Sequence, residues 1–138
     1  MFNKMVSKVG YYSEMLLRDM AKYDSCANPL VWREIAYTSL SQEDKHYLFF
    51  MFTDREVLRI RLRGITSWAE LKQFAVRLQR LGRALNHVAT GENWRRYNVL
   101  EDWSFLLTEF GDCIDALTEL KSTKVPLNDV LTLFVARI

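Results

Sequence analysis

Cysteine, histidine, proline and glycine are all scarce in this chain: its 138 residues include two Cys, two His, two Pro and five Gly. Each shortage closes off a class of protein. Cys26 and Cys113 stand alone, with no CxxC pair and no Cys/His spacing near either. Neither a zinc knuckle nor a disulfide framework is encoded, and both read as reduced thiols buried as small hydrophobes. Five scattered glycines exclude a phosphate-cradling loop and a dinucleotide fingerprint. His46 and His87 have no Ser, Cys or carboxylate at a spacing that reads as a dyad or triad, so no catalytic residue, metal site or cofactor is assigned.

Long apolar runs are missing as well. The longest, Tyr47 to Phe52, falls far short of the roughly 20 residues that cross a bilayer. The first twelve residues carry Lys4 and Lys8 but no signal-peptide core, so the expectation is a cytoplasmic protein with no membrane attachment.

With 49% hydrophobic, 13% aromatic and 26% charged residues, the chain has the composition of one globular domain spanning residues 1–138. Phe2, Met5, Val6, Val9, Tyr12, Leu16 and Met20 recur at helical spacing and predict an N-terminal helix. After Asn28-Pro29 the residues change character. Leu30 to Leu40, with Trp32, Ile35, Tyr37 and Thr38, suits a pleated surface; Tyr47 to Phe52 is apolar throughout, like a central strand covered on both faces. Leu58-Arg59-Ile60-Arg61-Leu62-Arg63 alternates with period two, like a half-exposed strand.

Helix signals then take over. Ser67-Trp68-Ala69-Glu70 is a capping box, followed by Leu71, Phe74, Ala75, Leu78, Leu81 and Leu85 on one arc and Lys72, Arg77, Arg80, Arg83 and His87 on the other. A third helix from Asn98 has an acidic outer arc of Glu101, Asp102, Glu109, Asp112, Asp115 and Glu119, on which Phe105 falls out of phase with the core. Pro126 opens a last short helix. The predicted fold is α+β: an N-terminal helix, a three-stranded antiparallel meander, then three helices packed on the sheet. The alternative is an all-α bundle, in which Ser41-Gln42-Glu43-Asp44 caps a buried helix over residues 42–52.

The formal net charge of +2 hides an asymmetry. Residues 55–96 hold ten Lys/Arg against three Asp/Glu, whereas residues 97–138 hold three against seven. Nine of those ten cations are Arg, whose planar fork suits carboxylate and phosphate recognition. The candidate partner-binding residues are Arg59, Arg61 and Arg63 on the third strand, Arg77, Arg80 and Arg83 on the helix, and Trp94, Arg95, Arg96 and Tyr97 in the connector, where aromatics interleave with cations. A plainer reading has the helix arginines pairing with the acidic arc next door and the strand arginines facing solvent.

These observations point to a non-enzymatic interaction protein, a small inhibitor, adaptor or regulator, that uses an Arg-rich strand and helix face to bind a protein partner with an acidic surface. The alternative is a direct nucleic-acid binder in which Arg59, Arg61 and Arg63 meet phosphates and Trp94 or Tyr97 stacks on a base. A homodimer is a further expectation, because an apolar strand over residues 47–52 needs cover on both faces. A metal-assisted enzyme built on Glu109, Asp112, Asp115 and Glu119 stands last, because no Glu-x-x-His pair accompanies them.

Overall fold

The structure is a computed structural model. It describes the backbone of residues 2–24, 34–52, 54–91 and 98–138, and the side chains of residues 4–17, 34–52, 54–87, 100–121 and 124–138. Among the described residues there are six α-helices seen from end to end, a short helical stretch over 34–36, one 3-10 helix and no strand. The helices are α1 (Phe2–Asp24), α2 (Gln42–Phe52), α3 (Arg55–Arg63), α4 (Trp68–Gly91), α5 (Asn98–Leu117) and α6 (Leu127–Arg137), with the 3-10 helix Thr118–Thr123 between the last two. The α+β expectation and its three-stranded meander are therefore overturned in favour of an all-α fold.

Each supposed strand fails for a physical reason. In α3 the alternating pattern is a helical one read at the wrong period. Leu58 and Leu62 stand four residues apart and are both fully buried, whereas Ile60, half a turn round, is 61% exposed. A strand would have buried all three. The Asp54 carboxylate caps this helix by accepting from the Glu56 backbone N–H at 2.9 Å, and the Gly64 N–H closes it by donating to the Ile60 carbonyl at 3.0 Å.

In α2 the apolar run also resolves at helical spacing. Leu48, Met51 and Phe52 go into the core, and Phe50 turns outward. Ser41 Oγ accepts from the Asp44 N–H at 3.1 Å and the Ser41 carbonyl from the Lys45 N–H at 3.0 Å, so the capping motif wins over the strand reading. The expected need for a second copy to cover this run goes with the strand. Of the first supposed strand, residues 30–33 lie outside the described residues, 34–36 are helical and 37–40 turn. Lys45 Nζ, buried, donates to the Ala36 carbonyl at 2.9 Å and ties that turn to α2.

The core runs through all six helices. At its centre Phe52 meets the fully buried Trp103 edge to face at 5.5 Å and Phe110 at 6.2 Å, each such side chain contributing about 1.5–3 kcal/mol by leaving water. The pair α4 and α5 is antiparallel: Lys72 meets Asp115, Gln79 meets Asp112, and Gly82 meets Thr108, one helix advancing as the other retreats. Gly82 and Gly111 let the two backbones approach closely. On the far side, α1 packs on α5 and α6, and α3 on α2 and α6.

The capping box at Ser67 forms with one change. Ser67 Oγ accepts from the Glu70 N–H at 3.1 Å, but the Glu70 carboxylate reaches Thr66, taking its N–H and its hydroxyl at 3.0 Å each. Cys113, expected to be buried, is half-buried against the core, and Cys26 lies outside the described residues. Among the described residues no helix is long and apolar enough to cross a membrane.

Candidate interaction surface

Because α3 is a helix, its three arginines do not share a face. Arg59 and Arg63, four residues apart, stand on one flank and Arg61 on the other. Arg59 is taken up by Glu56 one turn earlier. Arg63 reaches toward α6, where it borders a shallow pocket with Asn128 and Thr132. Arg61 instead lines a groove of about 1000 Å³ between α3 and α4, together with Arg77 and Arg80. The expected row of three strand arginines is thus corrected to a cluster of one arginine from α3 and two from α4.

The α4 arginines divide as well. Arg83 turns toward α5, where it lines a separate cleft with Glu101, Asp102 and Phe105. Arg77 lies with its guanidinium carbon 3.7 Å from the centre of the Tyr47 ring. Its Nη2 stands 3.7 Å from Glu43 and 3.9 Å from Asp44 of α2, and its Nε is buried with no hydrogen-bond partner among the described residues. Arg61 and Arg80 make no ion pair among the described residues. The acidic arc of α5 is met by other groups: Lys72 pairs with Asp115, and Gln79 Nε2 donates to Asp112 at 2.8 Å.

The walls of the groove are mixed. Tyr47, Ile60, Phe74 and Val76 supply apolar surface, and Arg61, Arg77 and Arg80 supply positive charge. A smaller recess of about 220 Å³ continues it past Arg61 and Arg77 to His46 and the outward-facing Phe50. Burial pushes the Tyr47 hydroxyl above the usual tyrosine range, and the neighbouring Arg77 and Arg61 pull it back. A groove lined by both apolar side chains and arginines favours a ligand that is itself apolar in part and anionic in part.

Of the ten candidate residues, Arg61, Arg77 and Arg80 come together, and Arg59, Arg63 and Arg83 do not join them. Trp94, Arg95, Arg96 and Tyr97 lie outside the described residues. The sequence reading missed Tyr47, Phe50 and Ile60, which it had assigned to strand interiors. The signal was present in Ser41 and Asp54, two cap residues that each start a helix. Among the described residues no three Asp, Glu, His or Cys side chains converge as metal ligands. Compared with known protein families, curated proteins and solved structures, the chain matches none of them.

Proposed function

We propose that this is a non-enzymatic interaction protein, an inhibitor, adaptor or regulator resident in the cytoplasm, whose α3/α4 groove takes an acidic segment of a protein partner. The observation that carries this reading is that Arg61 and Arg80, which make no ion pair among the described residues, share one groove with the exposed aliphatic surface of Ile60. Arg combined with aromatic and aliphatic contact is the composition that dominates interface energies. An amphipathic helix with carboxylates beside an apolar stripe has the matching chemistry.

The nucleic-acid reading has less support. A phosphate backbone calls for cations in a row, and the arginines of α3 diverge. The test is fluorescence anisotropy with a labelled acidic amphipathic peptide beside single- and double-stranded DNA and RNA at two salt concentrations. Saturable peptide binding that is lost in Arg61→Glu/Arg80→Glu supports the proposal. Steeply salt-dependent nucleic-acid binding, with the peptide ignored, overturns it.

A further inference from the structure

The outer surfaces of α4 and α5 lie side by side and carry opposite charge, and on α4 this face adjoins the arginine groove at Lys72 and Val76. On α5, Glu101, Phe105, Glu109 and Asp112 recur at helical spacing along one face, with Phe105 60% exposed. On α4, Lys72, Val76 and Arg83 share a stripe, with Val76 39% exposed. A cleft of about 510 Å³ between the stripes is lined by Arg83, Glu101, Asp102 and Phe105. Among the described residues Arg83, Glu101 and Asp102 make no ion pair with one another or with any other side chain. A large exposed aromatic amid opposed and uncommitted charges calls for a partner that is itself both acidic and basic.

A second copy of the chain has that pattern, and symmetry decides how it docks. A two-fold axis running across the helices would lay α4 on α4 and α5 on α5, setting like charge against like. An axis running along them lays each α4 on the α5 of the other copy, where charges are complementary twice over. Rotation about an axis along the helices leaves every residue at its own level. The antiparallel register of Gly82 with Ser104 and Thr108 therefore brings Arg83 of one copy close to the level of Phe105 of the other, with Asp102 and Glu101 about one turn further along α5 and within reach of a long side chain.

The face measures roughly 30 Å by 20 Å, from about 20 residues of helix and two helix diameters. Face-to-face contact would bury on the order of 600 Å² per copy, near the lower end for specific interfaces. We infer that the chain forms a closed two-fold dimer through the α4/α5 face, in which Arg83 of each copy covers Phe105 and pairs with Glu101 and Asp102 of the other.

The test is mass measurement by light scattering and sedimentation at about 100 µM, above the micromolar Kd such an interface can have. The wild-type chain should approach twice 16.3 kDa. Arg83→Glu alone, or Glu101→Arg/Asp102→Arg alone, should lower dimer affinity on the order of a hundredfold, because each sets like charges together at both symmetric contacts. Mixing the two variants should restore a dimer, since both contacts then join a carboxylate to a guanidinium. That rescue also shows that the variants are folded; Phe105→Ser, with its circular dichroism unchanged, should weaken the dimer without altering charge. A wild-type monomer at this concentration overturns the inference. So does mass that grows without limit, which marks a head-to-tail chain, or a dimer indifferent to all of these changes. None of the substituted residues lines the arginine groove, so this result and the peptide-binding result stand apart.

Discussion

Gly82 faces Thr108 so closely that a methyl group at position 82 would lie 2.2 Å from Thr108 Oγ1 and 3.0 Å from the Ser104 carbonyl oxygen. The hydroxyl cannot swing aside freely, because it donates to that same carbonyl at 2.9 Å. Gly82→Ala should therefore destabilise the protein by about 1–3 kcal/mol, as overpacking does, despite the ~1 kcal/mol that alanine gains over glycine within a helix. Removing the hydroxyl as well, in Gly82→Ala/Thr108→Ala, should recover only part of the loss, since the backbone contact remains. Gly64→Ala is the control: its added methyl would meet its nearest neighbour at 3.5 Å, so stability should hold or rise slightly. Urea midpoints at unchanged slope check all three.

The helices α4 and α5 were legible in the sequence through their period and the Ser67 capping box, whereas their close approach at Gly82 and Gly111 and the region before them were not. Leu58, Ile60 and Leu62 fit both a strand face and a helix, because residues four apart share a side in either structure and only the middle one distinguishes them. Tyr47 to Phe52 carried no period to read, since its exposed position, Phe50, and its half-buried ones, Tyr47 and Phe49, are aromatic too. What settled both segments was local polar chemistry at their starts. The site followed the fold: once α3 is a helix, Arg61 leaves Arg59 and Arg63 and joins Arg77 and Arg80, an arrangement no linear pattern displays.

Those starts can be tested directly. Ser41→Ala removes the acceptor of the Asp44 N–H, and Asp54→Ala removes that of Glu56. Each should cost about 1 kcal/mol, with Ser41→Gly or Asp54→Asn losing only a fraction of that. Helical circular dichroism should persist while the thermal midpoint drops. An increase in strand signal in either variant would show that the caps do not decide the conformation.

Tyr47 predicts an alkaline limb of stability. Burial holds its hydroxyl protonated in the folded protein above the ordinary value of 10.0, only partly offset by Arg77 and Arg61. The unfolded chain then gives up the proton at lower pH than the folded chain does. The contribution is fully present below pH 10 and is lost as pH rises through the folded value. Urea titrations on either side of that pH should show stability falling more steeply in wild type than in Tyr47→Phe. Equal slopes would place the ionisable group elsewhere, with Tyr12 and Cys113, both also pushed up chiefly by burial, the next to test.

Arg77 is the residue at which binding and stability should part. Its guanidinium gains from the Tyr47 ring by roughly 0.5–1 kcal/mol. Against this, its buried Nε has no acceptor among the described residues, a cost of about 1–3 kcal/mol for such a group. Its approaches to Glu43 and Asp44, at 3.7 and 3.9 Å, are long for ion pairs and screened by solvent. Arg77→Met keeps the apolar stem and discards both the gain and the cost, so its stability should stay within about 1 kcal/mol of wild type. If the groove holds a carboxylate-bearing partner, the same substitution should weaken the acidic peptide by about tenfold, the size of one lost charge-assisted contact. Parallel urea and anisotropy measurements on one preparation read both quantities. Loss of stability with affinity intact would assign Arg77 to the fold; the reverse assigns it to the partner.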